Sequence, residues 1–254
     1  MKKIFILLVF LFSCKSPVGG KINEISKSFL NTPYLLNPLG EEGGIDKDPL
    51  YRFDKFDCVT YVETVLALSK TNNEEDFKKL LNEIRFANGE IEFTKRNHFF
   101  QDWLNNNTNH VEDITEEISQ KTLNTSPSVS NVIIDKKAWL KKRYNIESNY
   151  EPYDLNVNYI DIDKIISNKD KFITTITEPM IVNFVIHNPK LKEKIGTDVN
   201  ISHTGFLIPH NNSIVLRHAS SYKKKVNEID IFEYLKKIRK HQEYKGLNFL
   251  EIKP

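Results

Sequence analysis

Apolar positions recur along this chain with several different spacings, and each spacing predicts an element. Lys2 and Lys3 precede an unbroken apolar run from Ile4 to Phe12, which closes in Leu11-Phe12-Ser13-Cys14. That run is shorter than the roughly 20 residues a membrane-spanning helix needs, and its order of charge, apolar stretch and small residue is that of a secretory signal. Further on, Val59, Val62 and Leu66 fall at helical spacing behind Asp57, a preferred N-cap residue, so a helix is predicted to begin at Cys58. Phe77, Leu80, Leu81 and Ile84 repeat the pattern within Glu74 to Phe86, with charges on the opposite side. Lys136 to Tyr144 predicts another helix anchored by Trp139 and Leu140, Ile229 to Ile238 an amphipathic one, and Leu247 to Ile252 a closing strand. Val111 to Ser130 is first acidic and then rich in Ser, Thr and Asn, which reads as a mobile surface region.

Two alternating runs, Ile201 to Ile208 and Ser213 to Ala219, flank the turn-like Pro209-His210-Asn211-Asn212 and predict a hairpin. A symmetric four-residue loop pairs Ile208 with Ser213, so paired numbers sum to 421, as they do for a symmetric two-residue loop, and 203 + 218 = 421. His203 and His218 are therefore expected to face each other, on the apolar face shared with Gly205, Leu207, Ile214 and Leu216. One histidine on such a face reads as a satisfied core residue; two in register also read as a base and its orienting partner. His98, His110, His187, His210 and His241 sit among Asn, Lys or Pro, where surface or loop placement is the default.

Composition narrows the class. With 254 residues, 39% hydrophobic and 28% charged, the chain supports one main core with room for an inserted lobe, and sixteen Phe plus ten Tyr argue against disorder. Thirty-six basic against thirty-four acidic residues leave +2, which gives no reason to expect a nucleic-acid partner. Two cysteines exclude a disulfide scaffold and a cysteine-rich zinc module.

The segment ending at Cys14 resembles a bacterial lipobox. Residues 1–13 are then expected to be removed as a signal peptide, with Cys14 as the lipid attachment point and 14–24 as a lipidated tether. The remaining 254 − 13 = 241 residues would be anchored to a membrane of the bacterial cell envelope, facing the periplasm. An ordinary signal peptide that contains a cysteine is the other reading. Cys58 is left as the lone thiol. At a helix start, unpaired N–H groups and the macrodipole favour a thiolate, and such settings draw a free-Cys pKa from about 8.5 into roughly 3.5 to 7.5. A small buried hydrophobe fits the position equally well. As a nucleophile, Cys58 needs a base. His203 would take and return the proton, His218 would fix its tautomer, and the N–H of Cys58 would face the oxyanion. A metal site of Cys58, His203 and His218 competes, without Cys-x-x-Cys or His-Glu-x-x-His spacing behind it. No metal or organic cofactor is expected.

Taken in order, Asn31-Thr32-Pro33-Tyr34, Phe56-Asp57-Cys58, Ile201-Ser202-His203-Thr204-Gly205-Phe206 and Leu216-Arg217-His218-Ala219-Ser220-Ser221 resemble the NlpC/P60 superfamily of papain-like cell-wall cysteine hydrolases. Thr60-Tyr61-Val62-Glu63 and Arg96-Asn97-His98-Phe99-Phe100-Gln101-Asp102-Trp103 bring the resemblance closest to its N-acetylmuramoyl-L-alanine amidase-like family, from about Ile25 onward.

The resemblance implies an α+β fold in which a nucleophile-bearing helix packs on an antiparallel sheet. It makes 25–254 a single catalytic domain with a helical and loop insertion at about 71–175. It also implies Cys58 as nucleophile, His203 as base and His218 as the third polar residue. Tyr34 would lie near the nucleophile and assist substrate or oxyanion, or be a core aromatic. Arg96, His98 and Trp103 would line a groove for sugar or peptide, although Trp103 with Phe99 and Phe100 also reads as core. Glu63 is expected to make a structural hydrogen bond.

The implied activity is hydrolysis, through a thioester, of the bond between the muramic acid lactyl group and L-Ala in peptidoglycan or its fragments. A peptidase cutting within the stem peptide and a non-catalytic wall-binding lipoprotein are the alternatives. One departure is Glu178-Pro179-Met180, where the family carries a Gly-Asp pair. Lys223-Lys224-Lys225 reads as a solvated turn or as a contact for anionic muropeptide groups. The sequence leaves the oligomeric state unknown.

Overall fold

Asp57 ends an extended stretch and its carboxylate accepts from the Thr60 N–H at 2.9 Å, while the Asp57 N–H donates to Thr60 Oγ1 at 3.0 Å. This reciprocal cap starts a helix at Cys58, where the spacing of apolar residues places it. The computed structural model describes residues 17–254, and the expected signal segment and Cys14 lie outside the described residues.

In chain order the helices and strands are α1 (Pro17–Ser28), α2 (Cys58–Lys70), α3 (Glu74–Arg85), α4 (Phe100–Asn106), β1 (Val111–Asp113), α5 (Thr115–Leu123), β2 (Ser128–Ile134), α6 (Lys136–Tyr144), β3 (Tyr153–Asp161), α7 (Ile162–Ser167), α8 (Lys169–Thr175), β4 (Met180–Ile186), α9 (Pro189–Ile195), β5 (Ile201–His210), β6 (Ser213–Ser220), β7 (Lys225–Asp230), α10 (Ile231–Ile238) and β8 (Tyr244–Ile252). The strands form one antiparallel sheet in the order β2-β3-β8-β4-β5-β6-β7, with β1 also on β8.

Strand alternation gives the sheet two apolar faces. Ile181, Phe206, Ile208 and Ala219 meet Val62, Val65 and Leu66 of α2. Val182, Phe184, Leu207, Ile214 and Leu216 meet Phe172 of α8 and Phe232 and Leu235 of α10. A smaller third cluster joins Val157 and Ile134 to Trp139 and Leu140 of α6. The architecture is α+β, with α2 packed on an antiparallel sheet.

Several expectations change. The region 71–175 contributes β1, β2 and β3 to the sheet in addition to helices, because these strands pair with distant β8 or with each other. Val111 to Ser130 is ordered, with Val111 and Ile118 buried and Thr115, Ser119 and Thr122 buried beside them. β8 is longer than predicted and lies between β3 and β4, and Ile229 and Asp230 end β7 before α10 begins.

The tether expected over 14–24 is helical from Pro17. Two glycines weaken the local helical signal there, but Ile22 is fully buried in the α2 core and Arg217 donates to the Asn23 carbonyl at 2.7 Å. If α1 is an integral part of the core, Ile22→Ala lowers unfolding free energy by about 2–4 kcal/mol. Urea denaturation checks this; a loss below about 0.5 kcal/mol is the behaviour of a tether.

Candidate active site

The hairpin places the two histidines on one face by a register different from the predicted one. His210 pairs with Ser213 and Phe206 with Arg217, so paired numbers sum to 423, around a two-residue turn at Asn211 and Asn212. Asn211 takes a φ of 50°, a left-handed conformation that asparagine tolerates. Continuing that register puts Gly205 opposite His218 and Ser220 opposite His203, so the histidines are diagonal neighbours instead of a facing pair. A shift of two residues preserves the face. His203 Nε2 and His218 Nδ1 are 2.5 Å apart, one donating and one accepting. Gly205 leaves the room, since a Cβ there would stand 2.9 Å from the His218 Cβ.

Opposite β4, the ladder passes from Phe184↔His203 to Val185↔Ile201 and skips Ser202. This bulge lies where β5 borders a cleft of about 130 Å³ whose walls include Cys58, Val59, Val62, Trp103, Asn183 and His203. Cys58, at the first turn of α2, is half-buried. Burial, followed by the Asp57 carboxylate, pushes its thiol up to about 12, against hydrogen bonds from the backbone of Thr204, Val59 and Cys58 that favour the thiolate. The helix start is where the sequence places it, but the expected lowering of the thiol pKa is overturned, because loss of water outweighs the helix terminus.

His203 is held down to about 3 by burial and then by His218, and His218 to about 4 by burial. Near pH 7 all three groups are therefore neutral, and His203 retains Nδ1 as its uncommitted nitrogen.

Tyr34 is bridged to Phe56, the second residue before Cys58, and its hydroxyl is pushed up to about 12 by burial and then by Cys58 and Asp57. It stays a donor at neutral pH. His98 and Trp103 line the cleft with Cys58. Trp103 Nε1 donates to Glu63 Oε1 at 3.1 Å, the structural bond expected of Glu63, and burial pushes that carboxyl up to about 7 against the pull of Arg85. His98 Nε2 lies 2.8 Å from the Phe93 carbonyl, which can only accept, so Nε2 carries the proton and Nδ1 is free to accept. Arg96 is not in this cleft. Its guanidinium donates to Glu41 and, at 2.9 Å, to Asp46, and it lines a different cavity with Trp139 and Arg143. Asn183 was missed in the sequence; its Nδ2 donates to Asn248 Oδ1 at 3.0 Å from within the cleft wall. A polar residue in an otherwise apolar strand was the available signal. Among the described residues, no group of three or more His, Cys, Asp or Glu side chains is placed to hold a metal ion.

The family model described as N-acetylmuramoyl-L-alanine amidase-like matches residues 24–241. The chain belongs to that family. A Legionella pneumophila protein of solved structure is 31% identical, with a TM-score of 0.86 over 93% of this chain and 89% of its own. An N-acetylmuramoyl-L-alanine amidase from Bacteroides uniformis superposes with a TM-score of 0.73 at 22% identity, covering 94% of this chain and 100% of that one. A candidate xylanase from Bacteroides fragilis reaches a TM-score of 0.69 at 23% identity over 90% and 99% of the two chains, so at this distance likeness establishes the fold alone. No curated protein matches the chain.

A protonated resting thiol has a direct signature. Alkylation of Cys58 by iodoacetamide should accelerate about tenfold per pH unit from pH 7 to pH 10. A rate that is already flat above about pH 5 is the mark of a preformed thiolate.

Proposed function

We propose that this protein is a cysteine amidase of the papain-like NlpC/P60 type that hydrolyses the bond between the muramic acid lactyl group and L-Ala in peptidoglycan or its fragments. The observation that carries the reading is the sharing of one cleft by Cys58 and His203, with His203 Nε2 engaged by His218 at 2.5 Å. Membership of a family described as N-acetylmuramoyl-L-alanine amidase-like supports both the substrate class and the choice of bond.

In this reading both catalytic groups start neutral. His203 Nδ1 removes the thiol proton as sulphur attacks the amide carbon, so charge separation is confined to the transition state, where the oxyanion and imidazolium offset each other. The Cys58 N–H and the Tyr34 hydroxyl are the donors for the oxyanion. The imidazolium returns its proton to the departing L-Ala amine. Water, activated by His203, then opens the thioester and regenerates the thiol. For each of these steps His218 keeps the base in one tautomer. His98 and Trp103 shape the cleft wall, and no metal takes part. The order of Lys2, Lys3, the apolar run and Cys14 supports a lipid anchor at Cys14 that holds the enzyme at the envelope membrane, facing the periplasm.

Digestion of a defined muropeptide tests the bond and the nucleophile together. The expected products are an intact stem peptide and a free lactyl carboxylate, and Cys58→Ala should slow their release by roughly a thousandfold or more. Mass spectrometry of the products decides: clipped stem peptides alone indicate a peptidase, and equal rates for the two proteins remove Cys58 from the mechanism.

A further inference from the structure

A second cavity, of about 590 Å³, opens on the other side of the histidine pair. It shares Ser202 and His203 with the cleft beside Cys58, whereas His218 lines only this second one. The two are built differently. Where the first is walled by Val59, Val62 and Trp103, the second presents Lys223, Lys237 and His241, with Glu243 as its one lining carboxylate. Neither lysine makes an ion pair among the described residues; Lys223 Nζ lies 5.6 Å from the Tyr222 ring centroid, and Tyr222 itself is 87% exposed. Asn227, paired with His218 across β6 and β7, lines the same cavity, and its Oδ1 is buried without a hydrogen-bond partner.

The tautomer of the pair adds a donor. If His203 Nδ1 is bare to receive the thiol proton, its neutral ring carries hydrogen on Nε2 and donates to His218 Nδ1. The neutral ring of His218, a residue that lines this cavity, then carries its own hydrogen on Nε2. The second cavity thus combines two unpaired ammonium groups, an N–H donor and one unsatisfied acceptor. A carboxylate beside an amide N–H has the matching chemistry.

We propose that this cavity is the subsite for the peptide half of the substrate, holding a stem-peptide carboxylate between Lys223 and Lys237 within reach of His218. This assignment rests on the amidase reading. The chemistry of the substrate separates its halves: once the lactyl acid is consumed in the amide, the muramoyl side carries no carboxylate, whereas the stem peptide keeps several. The cut therefore falls between a largely apolar cleft and a cationic one, with His203 on the boundary where the leaving amine takes its proton.

Binding tests the subsite without turnover. The Cys58→Ala protein, with and without Lys223→Gln and Lys237→Gln together, is titrated calorimetrically with the dipeptide L-alanyl-D-isoglutamate and with the same dipeptide bearing amides in place of its carboxylates. The expected result is that the double lysine change weakens the carboxylate form about tenfold and leaves the amidated form within about twofold. Equal affinity of the two lysine backgrounds for the carboxylate form overturns the subsite, as does failure of that dipeptide to bind at all. Should the dipeptide bind as expected while the unaltered protein releases no stem peptide from muropeptides, the subsite stands and the amidase reading fails.

Discussion

The seating of the α2 N-terminus against β5 is the constraint on which the site depends. Asp57 holds it from three directions, accepting from the Thr60 N–H and hydroxyl at 2.9 and 2.8 Å and from the Asn37 N–H at 3.0 Å. Behind that cap, Tyr61, Val62, Val65 and Leu66 lock the helix onto the sheet. The Cys58 sulphur is thereby held beside the backbone of Thr204, the residue after His203. A rotation of α2 by one residue would carry the thiol about 100° round the helix, so capping and burial together set the position of the thiol.

The same burial sets the electrostatics. Removing water from Cys58 and from both histidines penalises every charged form, which leaves a neutral thiol and two neutral imidazoles at rest. This differs from the ion pair that a helix N-terminus alone would favour. Under the proposed mechanism such a site would generate its charges only when a substrate carbonyl is present to receive the electron pair. The hydroxyl of Tyr34 is likewise kept protonated, by burial first and then by Cys58 and Asp57. Glu63, whose carboxyl sits beneath α2 between Trp103 and Arg85, ties the helix to α3 and α4 without facing the reaction.

What the sequence made legible is what local chemistry determines. The start of α2 follows from an N-cap residue and helical spacing, and α6 from its anchors Trp139 and Leu140. The shared face of His203 and His218 was legible because alternation survives a register error of two. The register itself was not, since it depends on the turn being centred one residue later, on Asn211 and Asn212, with Asn211 accepting a positive φ. Long-range pairing hid β1, β2 and β3, whose partners include a strand more than a hundred residues away in β1's case. Two glycines concealed α1, which is held by tertiary burial of Ile22. Arg96 looked available for a ligand because the carboxylates that engage it, Glu41 and Asp46, lie 55 and 50 residues away. The thiol pKa was misjudged for a related reason: the helix terminus is written locally, but desolvation depends on the whole fold.

On the proposed mechanism Cys58 carries the acyl half of the substrate as a thioester. Acid quenching during turnover of a defined muropeptide, followed by intact-mass and peptide-mass analysis, addresses it in one step. The expected result is a muramoyl adduct on the peptide that contains Cys58, without the stem peptide attached. Steady release of stem peptide with no adduct on Cys58 at any quench time, while a comparable thioester standard survives the same quench, would contradict it, and so would an adduct carrying stem-peptide residues in place of the sugar.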